Sequence, residues 1–194
     1  NKKNMWNICN IFTKFKKEEE IPLEIKDMTS VLPWHETRVW ANRAFNRINK
    51  IIIHQALVSG ATAESVNNYH ITPGENNHIS PNGAPHICYH YVIEKDGSVL
   101  LCNNLSSIVW HCKGQNTSSI GILVMGDFNG VDHSGMDSHP TKEQLHSLKQ
   151  LLNTLLKNEK LDLDETEIYG HDSFGKPACP GYILINFIKN FIFS

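Results

Sequence analysis

The chain of 194 residues is 40% apolar and 20% charged, which suits one domain with a core that stands without staples. Its 18 basic and 20 acidic residues leave a formal net charge of −2; that speaks against nucleic acid as the main partner, because phosphate binding needs a basic face. No run approaches the roughly 18–20 apolar residues of a membrane span, so no transmembrane segment is expected.

In chain order, the opening stretch NKKNMWNICNIFTKFKKEEE places Met5, Ile8, Phe12 and Phe15 on one helical stripe with lysines opposite. An amphipathic helix is expected there, docked on the domain in preference to a membrane surface. Asn7 and Asn10 interrupt the apolar patch and no small-residue cleavage site follows, so it does not read as a secretion signal. Residues 1–30 are therefore assigned to an N-terminal helix and linker, and residues 31–194 to the domain that carries the function.

ETRVWANRAFNRI reads as a short helix or turn, and KIIIHQA (50–56) as a buried β-branched strand. Thr62 should N-cap a helix running to about His70, followed by the turn-rich loop ITPGENNHISPNGAP. HICYHYVIEKDGSVLLCN has two strand-forming runs around Asp96 and Gly97, a hairpin in which glycine supplies the positive φ. SSIGILVMGDF (118–128) is another buried strand. Thr141 should cap a helix whose Leu145, Leu148, Leu152 and Leu155 form one apolar stripe. TEIYGHD reads as a short last strand and GYILINFIKNFIF as a closing helix. Strands and helices interleave, which predicts an α/β fold: a single domain with a central mixed β-sheet flanked by helices.

Eleven histidines make metal or acid–base chemistry worth seeking. His54 and His171 fall at or just past the ends of predicted strands, where α/β sheets gather ligands, and Cys179 follows His171 on a loop. Two readings stand for the stretch YGHDSFGKPACPG. His171 caps a strand and Cys179 is a small buried thiol, or both bind one metal with a third ligand from elsewhere. A His/His/Cys set suits zinc in tetrahedral geometry and leaves one position for water. The five cysteines are odd in number and scattered. They favour a reducing compartment, although Cys102 and Cys112 could face one another across neighbouring strands.

The segments HQA, YHI, ICYHYVIEKDGSV, VWHCKGQNTSSIGILVMG and YGHDSFGKPACPG, in that order, resemble the zinc-dependent N-acetylmuramoyl-L-alanine amidases. That superfamily includes amidase-type phage lysozymes and peptidoglycan recognition proteins, and the resemblance covers roughly residues 50 to 190. It implies one zinc ion per chain held by His54, His171 and Cys179, with Tyr89 in the catalytic role. It also implies contacts of His111, Lys113 and Asn116 with the peptide stem or sugar. The implied reaction is hydrolysis of the amide between N-acetylmuramic acid and L-alanine, with peptidoglycan or its muropeptides as partner. A monomer acting on the bacterial cell wall is expected, either a phage endolysin released from the host cytoplasm or a secreted autolysin. A non-catalytic muropeptide-recognition module of the same fold is the alternative.

Two departures from the family pattern stand out. Many members carry lysine or threonine two residues before the third ligand as an oxyanion stabiliser. Here Pro177 fills that slot and Lys176 stands one residue earlier, as the candidate for the role. The strand after SIG reads ILVM, with no carboxylate to act as a base. His90 alternates with Tyr89 and is expected on the opposite face. His70, His78, His86, His133, His139 and His146 receive no role.

Overall fold

The β-branched runs form the middle of one six-stranded sheet. The computed structural model describes residues 22–128 and 139–192. The predicted N-terminal helix and His133 lie outside the described residues. The strands are β1 (Ile25–Asp27), β2 (Lys50–Gln55), β3 (Tyr91–Ile93), β4 (Val99–Leu101), β5 (Ser119–Val124) and β6 (Ile168–Gly170), in the spatial order β1-β4-β3-β5-β2-β6. All pairings are parallel except the β3–β4 hairpin. The sheet is therefore mixed, as expected. β1 comes from the stretch assigned to a linker; its three residues pair with β4 at the sheet edge.

β2 and β5 are adjacent interior strands and are almost wholly buried. Alternation divides their side chains between two layers. Ile51, Ile53, Ile120, Ile122 and Val124 join the larger core beneath α2 (Lys142–Leu156) and α3 (Tyr182–Ile192). Leu123 and Val92 point to the other face, where Ala63 and Val66 of α1 (Ala63–Ile71) pack on them. His54, Ser119 and Gly121 share this second face, and the functional chemistry collects there.

Local sequence sets the helix starts. Thr62 and Thr141 each accept a backbone N–H with their hydroxyl, while the residue three positions on, Ser65 or Gln144, bonds back to the cap. Leu148, Leu151, Leu152 and Leu155 of α2 are buried, whereas Leu145 at the predicted stripe's start is only partly so. Gly97 closes the hairpin at φ +87°, which L side chains rarely adopt. The hairpin strands are shorter than the sequence suggests, so Tyr89 and His90 fall in the approach to β3. ETRVWANRAFNRI yields only a single 3₁₀ turn at Phe45–Arg47.

Candidate metal centre

His54 is the penultimate residue of β2, and His171 follows directly on β6, the neighbouring strand. Parallel pairing brings both strand ends to one edge. Cys179 returns from the loop after the turn His171–Phe174, and Gln55 fixes that return. The Gln55 side-chain amide donates to the carbonyl of Ala178 while its oxygen accepts from the N–H of Phe128. Its backbone N–H donates to Cys179 Sγ at 3.4 Å.

The possible ligand atoms of His54, His171 and Cys179 all lie within 4.8 Å of one another. Cys179 Sγ is 3.8 Å from His54 Nδ1. Tetrahedral zinc bonds of about 2.0 Å to nitrogen and 2.3 Å to sulfur place such atoms about 3.5 Å apart, so the residues fit the ion with little movement. Protonation fits as well. Burial, and then the proximity of His171, hold the His54 imidazole well below its usual pKa. Burial, and then the Lys176 ammonium, bring His171 down to about 4. Both rings thus offer lone pairs at neutral pH. Burial pushes the Cys179 thiol up to about 11, against the N–H of Gln55. A metal ion has to displace that proton.

Behind the cluster, His54 Nε2 lies 3.0 Å from His111 Nδ1, and His111 Nε2 lies 3.0 Å from Ser119 Oγ. Both nitrogens of His111 are therefore occupied by protein groups, although its ring forms part of the groove wall. The expected substrate-contact role of His111 thus meets a ring bonded into the protein beside the candidate ligand His54. Asn116 is placed similarly: its side-chain oxygen accepts from Cys112 N–H at 2.8 Å, and its carbonyl accepts from Arg43. Lys113 is exposed in the groove. His90 is fully buried, accepting from Gly121 N–H and bonding the Ser107 carbonyl at 3.0 Å each.

In front of the cluster runs a groove of about 1040 Å³. Tyr89 lines it with its ring 5.1 Å from that of His54, nearly edge-on, and no described protein group hydrogen-bonds its hydroxyl. Lys176 and Pro177 also line it, while Tyr69 and Trp110 add aromatic wall. Among the described residues no carboxylate lines the groove. His70 and His78, which had no role from sequence, also line it. His78 belongs to the long loop after α1, where its Nδ1 bonds Tyr69 Oη at 2.8 Å. Gln55 and Ser119 were missed as well. Gln55 adjoins a candidate ligand, which is a usable signal, but a serine in a buried strand carries none.

The four described cysteines, Cys88, Cys102, Cys112 and Cys179, are free thiols. The pairing considered for Cys102 and Cys112 is absent. Cys102 packs with Leu32, Ile87 and Val92, whereas Cys112 is in the loop that carries His111. Among the described residues no helix is long and apolar enough to cross a membrane.

A model of the N-acetylmuramoyl-L-alanine amidase family matches residues 44–182. The endolysin of Escherichia phage T7 is 33% identical over 97 residues, covering 50% of this chain and 60% of its own. The chain thus spans about 60% of the length of the curated phage relatives it matches. Peptidoglycan-recognition protein SC1a of Drosophila melanogaster is 25% identical over 150 residues, 77% of each chain. Among solved structures, tracheal cytotoxin bound to the ectodomain complex of peptidoglycan recognition proteins LCa and LCx matches with a TM-score of 0.67. The identity is 23%, covering 85% of this chain and 94% of that one, which shows a shared fold.

Proposed function

The chain belongs to the N-acetylmuramoyl-L-alanine amidase family, and from that premise we propose that it hydrolyses the amide between N-acetylmuramic acid and L-alanine in peptidoglycan, using one zinc ion. The convergence of His54, His171 and Cys179 at the head of the groove carries this reading. Bound there, zinc supplies a Lewis acid that activates water and polarises the scissile carbonyl.

The chain's own groups do the rest. Burial raises the Tyr89 phenol far above its usual range, so it keeps its proton and can donate to the developing oxyanion. Lys176, which also lines the groove, is the second candidate donor. Among the described residues of the groove, none duplicates a glutamate base. Lys113 and Lys176 give the groove positive charge, which suits the carboxylates of a stem peptide. His54, neutral and buried, and His171, neutral at physiological pH, fix the reaction's position at the strand ends.

We place its action at the bacterial cell wall, in the manner of an endolysin or an autolysin. The test is to quantify zinc in the purified protein, then incubate wild type and His171→Ala with purified peptidoglycan. About one zinc per chain, with new N-terminal L-alanine released by wild type alone, is expected. Wall binding and bound zinc without new amines would establish the muropeptide-recognition module instead.

A further inference from the structure

Two residues outside the candidate ligand set decide which nitrogen of His54 faces the metal. We propose that Ser119 and His111 form a proton-ordered chain that locks His54 in the Nε2–H tautomer and holds its Nδ1 lone pair towards the cluster. The inference rests on the metal reading above, but its first step needs no metal.

The order of protons follows from the groups at each end. Ser119 Oγ lies 2.7 Å from the carbonyl oxygen of Gln115, which can only accept, so the one hydroxyl proton is used there. At its 3.0 Å contact with His111 Nε2, Ser119 must then be the acceptor. His111 therefore carries its proton on Nε2 and presents Nδ1 as an acceptor. His54 Nε2, 3.0 Å from that atom, must donate. A neutral His54 has only one ring proton, so its Nδ1 is left with a lone pair. That nitrogen is the one 3.8 Å from Cys179 Sγ. The reverse order would put a proton on Nδ1, against the sulfur, and abolish ligation.

The strand builds the seat for this chain. Ser119 and Gly121 lie on one face of β5, and the register sets Ile52 beside Gly121 and His54 beside Leu123. A Cβ at Gly121 would stand 2.5 Å from His111 Cγ, so the glycine leaves the space in which the ring sits. Ser118 N–H holds the Gln115 carbonyl at 3.0 Å. Second-sphere partners of this kind orient a metal-bound histidine and typically change metal affinity by about 10- to 100-fold.

Histidine ¹⁵N NMR of the zinc-free wild type tests the order directly. His54 and His111 are both expected as Nε2–H tautomers, and a proton on His54 Nδ1 would overturn the proposal. Zinc affinity is then measured by chelator competition. His111→Phe should weaken binding about 10- to 100-fold. His111→Asn, whose Oδ1 can accept where Nδ1 did, should recover most of it. Equal affinities for all three proteins would sink the idea. Ser119→Ala is the smaller change should the Phe variant fail to fold. It should give His54 a mixture of tautomers, and a single Nε2–H form would count against the chain. A wild type with the expected tautomers but no zinc would defeat the metal reading and leave the proton order standing.

Discussion

One oxygen atom separates two roles of Tyr89. Its ring packs edge-on to His54, while its hydroxyl is left to the groove. Tyr89→Phe should therefore keep the fold and the bound zinc while turnover falls about 10²- to 10³-fold. Metal analysis beside the rate of amine release checks both halves. Cys179 governs a different observable. Burial raises its thiol to about 11, while burial and then Lys176 bring His171 down to about 4. Between about pH 5 and 9 zinc must displace the thiol proton, so affinity should rise about tenfold per pH unit. Chelator competition across pH reads this slope, and Cys179→Ser should remove most of the affinity. Lys176→Met tests its role: a fall in kcat marks an oxyanion donor, whereas a rise in KM alone marks a carboxylate contact.

Elements carry the candidate ligands, and small residues let them meet. Gly121 in β5 has an ordinary strand conformation, so conformational freedom does not explain it. The His111 ring does, because it occupies the space a Cβ would need. Gly121→Ala should cost about 1–3 kcal/mol by overpacking, read from urea melts, and weaken zinc binding as His111 is displaced. Thr141→Ala should cost about 1 kcal/mol through its lost cap and leave zinc affinity unchanged. The contrast separates damage to a distant helix from damage to the site. Both capping threonines were legible because a cap is a local device. β1 was not: three half-exposed or exposed residues, Ile25–Asp27, become a strand only because β4 offers an edge to pair with.

At the scale of the whole molecule, the burial of imidazoles couples the fold to pH. Burial holds His54 and His111 well below the usual range, brings His70 and His90 to about 3, and brings His171 to about 4. An unfolded chain would protonate all five near pH 6.5. In the window from about 6.5 down to about 3 or 4, the unfolded state binds more protons than the folded one, so stability must fall as pH falls. Urea midpoints of the zinc-free protein should drop steeply between pH 7 and 4. The zinc-loaded protein should resist until the ion is displaced.

By itself the sequence determined the α/β class, the central strands, the helix caps and, through its resemblance, the candidate ligands His54, His171 and Cys179. Those features rest on local patterns: β-branched runs, Thr-x-x-Ser/Gln boxes, and short motifs in a fixed order. Only the tertiary structure decided the β1 edge and the anchoring of the Cys179 loop by Gln55. It alone set the His111 ring over Gly121 and beside Ser119, and the His90 ring against the Gly121 N–H and the Ser107 carbonyl. Those outcomes depend on strand order and register, which join residues far apart in the chain. No spacing along the sequence records that Ser119 will lie beside His111, or His111 beside His54.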